Sequence, residues 1–247
     1  MSGDSAGAGA RQRGTLADEL YAGPGLRPFG ITTVVKFGGS LLADVAAAAR
    51  VAAVLGDPPA TERLLVFPGG GPADKVIESI ARQVGLDGPA INPACMRALD
   101  QTGILLATMA SRLSAVESLA DARAVLAADG VPVLLPSRLI LTLDVFTRHD
   151  IITSDSLGAY FAFLVGARRY VVLTDVDGVY EPGSAERGQP RLIPRVSTGE
   201  LAGYGHTSVD ACLAPMLATT RMSAWVLNGF EPQRLADLLA GREPAGT

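Results

Sequence analysis

The sequence predicts an α/β domain with a mostly parallel sheet covered by helices on both faces. Two observations carry this. Short, almost wholly apolar runs recur along the chain, and each stops at glycines, a proline or an acidic pair before a stretch of helical length begins. Strands buried on both faces read as continuous apolar runs, and their alternation with helices makes successive strands parallel, with ligands at the carboxyl ends. At 247 residues and 48% hydrophobic content, the chain can form one large domain or two lobes sharing a sheet.

A formal charge of −4 and a pI near 5.2, with no basic stripe, argue against a nucleic-acid partner. Met1 to Gly30 is rich in Gly, Ala and Arg but has no continuous apolar core, so residues 1–30 read as a loose tail rather than a signal peptide. No run reaches the roughly 18 apolar residues that a membrane span needs. Cys95 and Cys212 have neither disulfide nor metal spacing and suit small buried positions in a reducing cytoplasm, and no metal-ligand set is expected.

The first strand, Thr32 onward, runs through Val34 and Val35 to Lys36-Phe37-Gly38-Gly39-Ser40. The glycines let the backbone turn and approach a ligand, and Ser40 is the expected N-cap of a helix reaching about Leu55. A strand, a glycine turn and a helix N-terminus form an anion site, with Lys36 at its edge. Of the 21 basic residues only Lys36 and Lys75 are lysines, so a compact ammonium has been kept here in a chain that otherwise uses guanidinium. The pattern is not a Walker A loop, since G-x-x-x-x-G-K-S/T is absent.

A second apolar run, Arg63 to Phe67, ends in Pro68-Gly69-Gly70-Gly71-Pro72 and predicts a second ligand loop, with Asp74 and Lys75 opening its helix. Asn92 to Leu113 reads as one long amphipathic helix, whose Asp100-Gln101 are either exposed or line an acceptor pocket. Ser118 caps a helix to about Ala128, and Val131 to Leu135 is a strand. Leu139 to Val145 suggests a β excursion, followed by a polar rim at Arg148-His149-Asp150. Thr153-Ser154-Asp155-Ser156 precedes a helix from Leu157 to Leu164, which Ser154 or Asp155 caps unless Asp155 is delivered to the ligand edge. Tyr170 to Leu173 is a strand ending in Thr174-Asp175-Val176-Asp177-Gly178-Val179-Tyr180, where two carboxylates suit a ribose or a hydrated cation. A calcium loop is a poor alternative because the required downstream Glu is missing.

Val-Lys-Phe-Gly-Gly-Ser, the Gly69–Gly71 loop, Thr-Ser-Asp at 153–155 and Leu-Thr-Asp-Val-Asp-Gly-Val-Tyr at 173–180 occur in the order seen in the amino acid kinase superfamily, which residues 31 to 247 resemble. Ala98-Leu99-Asp100-Gln101, Leu135-Pro136-Ser137-Arg138, Thr153 to Ser156 and Ser208-Val209-Asp210 look most like the furan-methanol phosphate kinases of methanofuran biosynthesis. Val209-Asp210 through Arg221, with Asn228-Gly229, also resembles molybdenum storage proteins. The resemblance implies a three-layer αβα sandwich, with an acceptor-binding lobe at 31–168 and a nucleotide-binding lobe at 169–247. It implies transfer of the γ-phosphoryl of ATP, with Mg2+, to a small-molecule acceptor by a cytoplasmic homo-oligomer. Lys36 would contact the transferring group, Asp155 would orient it, and Gly38, Gly39 and Ser40 would supply turn and donors. Gly69, Gly70, Gly71, Asp100 and Ser154 would face the acceptor, and Thr174, Asp175, Asp177, Gly178 and Tyr180 would lie at the nucleotide.

One departure matters. Relatives of this kind place a second lysine after the nucleotide loop, where Ala211-Cys212-Leu213-Ala214-Pro215-Met216 puts Met216. Either an arginine substitutes, Arg221 first and Arg195 second, or the chain is a weak or inactive kinase that binds nucleotide or stores an oxyanion such as molybdate or tungstate.

Overall fold

The computed structural model of the protein describes residues 30–144, 152–184, 187–205 and 207–247. Among these residues, six strands form one parallel sheet: β1 (Thr33–Phe37), β2 (Leu64–Pro68), β3 (Leu113–Val116), β4 (Val131–Leu134), β5 (Arg169–Thr174) and β6 (Ala224–Asn228). Their order is β3-β4-β2-β1-β5-β6, so the chain leaves β1 toward one edge and returns on its other side at β5. Such a reversal opens a crevice at the strands' carboxyl ends. Lys36 sits there, in register with Phe67 of β2 and Val172 of β5.

Side chains alternate across the sheet, as the two-residue period requires. Val35, Phe37, Val66, Val171 and Leu173 pack beneath α1 (Val45–Gly56) and α9 (Pro232–Leu239). Val34, Phe67, Tyr170 and Val172 pack on the opposite face beneath α4 (Leu119–Ala127), α6 (Ser154–Leu164) and α8 (Leu213–Thr220). This is the three-layer αβα arrangement. Val51 and Leu55 of α1 are wholly buried, and each such side chain contributes about 1.5–3 kcal/mol over the exposed state. Lys36 shares the face of Val34, which is the face that α6 covers. Between the layers and the loops lie α2 (Gly71–Val84), α3 (Gly88–Ala107), α5 (Ser137–Leu143) and α7 (Thr198–Tyr204).

Four expectations are corrected. Ser40 does not cap α1; Gly39–Ala43 form a short 3-10 turn and Asp44 is the cap, its Oδ1 accepting from Ala47 N at 2.9 Å. Leu139 to Leu143 is helical, because the Asp100 carboxylate accepts from Ser137 N and Ser137 Oγ at the start of α5 and fixes a turn that no local pattern specifies. The helix expected from Asn92 to Leu113 is instead α3, starting at Gly88 and ending at Ala107; residues 108–112 form turns and Leu113 opens the edge strand β3. Neither Ser154 nor Asp155 caps α6; Thr153 does, its Oγ1 accepting from Asp155 N at 3.3 Å. The N-terminal tail up to Phe29 and Arg148-His149-Asp150 lie outside the described residues.

Candidate active site

The ammonium of Lys36 lies 2.7 Å from Asp155 Oδ1, and both side chains are 10% exposed. Lys36 comes from the end of β1 and Asp155 from the first turn of α6, whose N-terminal partial charge favours a carboxylate there. Asp155 Oδ1 is sealed from solvent and has the Lys36 charge as its close partner. The other oxygen accepts from Asp210 N at 3.2 Å. Tyr170 OH donates to the Asp155 carbonyl at 2.7 Å. Burial pushes this phenol well above its usual range, and the neighbouring Asp155 and Asp210 charges push it the same way, so it stays a neutral donor. Gly158 makes this bond feasible: a Cβ there would stand 2.4 Å from the phenol oxygen.

Asp210 was visible in the sequence only within a resemblance, and the structure places it at the centre of the support. Its Oδ2 accepts from Thr153 N at 3.2 Å, Thr153 Oγ1 at 2.7 Å and Ser156 N at 3.0 Å, while Oδ1 accepts from Ser156 Oγ and from Cys212 N at 2.8 Å. It is 3% exposed. One carboxylate thus satisfies the start of α6 and holds the 210–212 turn against it, so the backbone N–H that fixes Asp155 cannot drift.

The two glycine loops meet backbone to backbone beside this pair. A Cβ on Gly39 would lie 2.2 Å from Gly71 N, and one on Gly69 would lie 2.9 Å from Gly39 N and 3.2 Å from Ser154 Oγ. Gly71 has φ of +62°, and a Cβ on Gly38 would meet Leu173 O at 2.4 Å. Thr102 Oγ1 donates to Gly70 O at 3.4 Å from inside α3, a buried support that sequence reading missed. Gly38, Gly39, Gly69, Gly70, Gly71 and Ser154 are thus brought together around Lys36–Asp155, with exposed Ser40 on the rim. Asp100 is spent on Ser137 instead.

The β5 edge is built differently. Thr174 Oγ1 donates to Asp175 Oδ1 at 3.2 Å, and Asp175 is exposed. Asp177 Oδ1 accepts from Asn228 Nδ2 at 3.0 Å and lies 2.9 Å from Arg234 Nη2, while Asp177 N donates to Tyr180 OH at 3.3 Å. Gly178, with φ of +153°, is pressed against Thr247. Beyond them a cavity of ≈ 570 Å³ is walled by Val179, Leu213, Leu217, Trp225 and Val226, with Ser197 and Thr198 among its polar lining. Met216 packs against the apolar core, Arg195 pairs with Glu243 at 2.7 Å, and Arg221 is exposed in left-handed conformation where α8 ends. Among the described residues no group of three or more His, Cys, Asp or Glu side chains converges to hold a metal ion.

A lysine at a strand end, a carboxylate fixed against it and glycine loops packed backbone to backbone beside the pair form an arrangement that can receive a phosphoryl group through positioning and charge. The sequence matches the amino acid kinase family over residues 32–228, and the chain belongs to that family. It is 28% identical over 211 residues to the [5-(aminomethyl)furan-3-yl]methyl phosphate kinase of Methanocaldococcus jannaschii, covering 85% of this chain and 93% of that one. It is 27% identical over 223 residues to the uridylate kinase of Methanoregula boonei, covering 84% and 91%. The crystal structure of uridylate kinase from Archaeoglobus fulgidus superposes with a TM-score of 0.68 at 21% identity, covering 88% of this chain and 99% of that one. The protein is a phosphotransferase acting on a small-molecule acceptor. No helix among the described residues is long and apolar enough to cross a membrane.

Proposed function

We propose that the protein transfers the γ-phosphoryl group of ATP to the phosphate of a small phosphate monoester. The observation that carries this is the Lys36–Asp155 pair opening onto two glycine loops at the carboxyl end of the central strand. Lys36 neutralises the transferring group, Asp155 holds the ammonium in place, and the backbone of Gly38, Gly39 and Ser40 cradles the phosphates. Gly69, Gly70, Gly71 and Ser154 receive the acceptor phosphate. Thr174 and Asp175 face the nucleotide, whose base suits the apolar walls of the 570 Å³ cavity. Asp177, Gly178 and Tyr180 position Val179 in that wall, with the Asp177 carboxylate held by Arg234 and Asn228. Residues 31–168 serve as acceptor lobe and 169–247 as nucleotide lobe. Asp175, exposed at the end of β5, would help hold a Mg2+ ion carried by the nucleotide phosphates, and that ion would supply charge neutralisation there. Two unpaired cysteines suit a cytoplasmic setting. Val76, Ile80 and Val84 form an exposed apolar ridge on α2, which supports self-association through that helix.

The test is ADP formation with Mg-ATP and, in turn, [5-(aminomethyl)furan-3-yl]methyl phosphate, uridylate and inorganic phosphate. Turnover with one of the two esters well above the inorganic phosphate control is expected. Melting-temperature shifts with ADP, molybdate or tungstate but no turnover would favour a second reading, binding without catalysis. Apolar Met216 and the engaged Arg195 motivate that second reading.

A further inference from the structure

A cavity of ≈ 410 Å³ lies between α2, α3 and the segment entering α6. Thr153 and Ser154 line it, so it adjoins the Lys36–Asp155 pair, and Leu86, Met96, Leu99 and Ile152 supply apolar walls. Asp74 also lines it, from the first turn of α2. The Asp74 carboxylate lies over the glycine loop: a Cβ on Gly70 would stand 2.6 Å from its Oδ2. Its Oδ1 is sealed from solvent with no hydrogen-bond partner. The Cys95 thiol bonds to this carboxylate but cannot neutralise it, because burial and then Asp74 itself push the thiol up to about 12. Lys75, the adjacent cation, points outward at 77% side-chain exposure and pairs with Glu78 at 3.2 Å. Arg82 lines the same cavity eight residues further along α2, which at 1.5 Å per residue is about 12 Å away. Among the described residues no ion pair therefore reaches Asp74. A half-buried carboxylate with one oxygen sealed and no cation beside it is held at a cost unless a ligand supplies the missing charge.

We propose that Asp74 is a specificity residue that binds a primary ammonium group on the acceptor, while the apolar walls hold a small ring or chain and the glycine loops take its phosphate. This rests on the acceptor-site reading given above. A ligand that spans from Ser154 to Asp74 places opposite charges at its two ends: its phosphate leaves the cavity at Ser154 toward the adjoining glycine loops and Lys36, and its ammonium meets the Asp74 carboxylate that lines the cavity.

Two probes of equal size separate charge from shape: [4-(aminomethyl)phenyl]methyl phosphate and (4-ethylphenyl)methyl phosphate. Calorimetric titration of the full chain should show at least about tenfold tighter binding of the ammonium probe, roughly the worth of one charge-assisted contact. Asp74→Asn should abolish that preference and leave the ethyl probe's affinity within about twofold; Asp74→Ser is the second variant should the first not fold. Equal affinity of native protein for both probes, binding of neither, or a preference surviving in the variants would overturn the assignment. ADP is titrated separately. ADP binding without an ammonium preference sinks this inference and leaves the kinase reading standing, whereas an Asp74-dependent preference without ADP binding or turnover sinks the kinase reading alone.

Discussion

Two ion pairs flank the central strand, one at each end, and they are satisfied very differently. At the amino end, Glu62 accepts from Thr32 Oγ1 at 2.6 Å and Thr33 Oγ1 at 2.9 Å and pairs with Arg169, which also donates to Leu238 O at 3.1 Å and Thr33 Oγ1 at 3.3 Å. At the carboxyl end, the Lys36 ammonium has three donors, and among the described residues its one partner is Asp155. Side-chain and backbone partners occupy the lower pair, whereas glycine backbone lies beside the upper pair and leaves room. A network with all partners supplied contributes rigidity. A cation held in place with donors to spare is ready for a ligand.

The largest expected effect therefore falls on turnover at the upper pair. Lys36→Ala should reduce turnover by about 100-fold or more, as loss of a charge aimed at the reacting group does. The melting temperature should fall as well, because Asp155 loses its cation, but the Asp210 N–H and the α6 terminus still hold the carboxylate and the variant should stay folded. Parallel assays and thermal melts decide this. A variant that unfolds while its folded fraction remains active would make the upper pair structural, like the lower one.

Asp210→Asn should affect both properties. An amide placed among five donors leaves one N–H facing another donor, which costs about 1–3 kcal/mol. Displacement of Asp155, and through it Lys36, should lower kcat by about tenfold with little change in KM for nucleotide. An unchanged kcat in a destabilised variant would confine Asp210 to stability.

The lower pair yields a pH signature. Burial raises the Glu62 carboxyl, but hydrogen bonds from Thr32 and Thr33 and the Arg169 charge outweigh it and hold the group below its ordinary 4.5. A depressed carboxyl contributes stability above the unfolded value, and that contribution is lost as pH falls through the lower folded value. Native protein should thus be more stable than Glu62→Gln at neutral pH, and the difference should shrink below about pH 4.5, with turnover of both equal. A difference that does not change with pH would deny Glu62 this role.

The two ends also differ in how far the sequence revealed them. Lys36 was legible because composition and spacing agree: a rare lysine, an apolar run before it and two glycines after it. The Gly69–Gly71 loop was legible for the same local reason, and so was the alternation that sets the layers. What escaped was tertiary. Asp210 acts on residues more than fifty positions earlier, and nothing in Ser-Val-Asp announces that reach. The run Leu139 to Leu143 suits a strand until Asp100 from another helix caps it. The edge strand β3 is four residues, buried at Leu113 and Val116 and open at Ser114 and Ala115 between them, so no two-residue period marks it off from the end of a helix. Glu62 stands just before β2, and no local pattern joins it to Arg169 on β5, more than a hundred positions later.

The smallest effect, and the sharpest for the upper pair, concerns whether a second cation serves it. Arg221 is the first candidate to replace the lysine displaced by Met216. Arg221 adopts φ of +55°, its N–H donates to Leu217 O, and its side chain is exposed. A left-handed arginine is strained where glycine is not, so Arg221→Gly should raise stability by about 0.5–1 kcal/mol if the residue does nothing more than end α8. The helix ends one residue before Arg221, so the side chain does not continue the face of α8 that Met216 occupies and is free to follow a different direction. If Arg221 reaches the transferring phosphoryl when nucleotide binds, the same variant should lose turnover at least tenfold despite its gain in stability, and Met216→Lys should restore part of it. Unchanged turnover in the stabilised variant would leave Lys36 as the cation of the upper pair, and the unspent donors on its ammonium would then have to meet the phosphoryl group without help from α8.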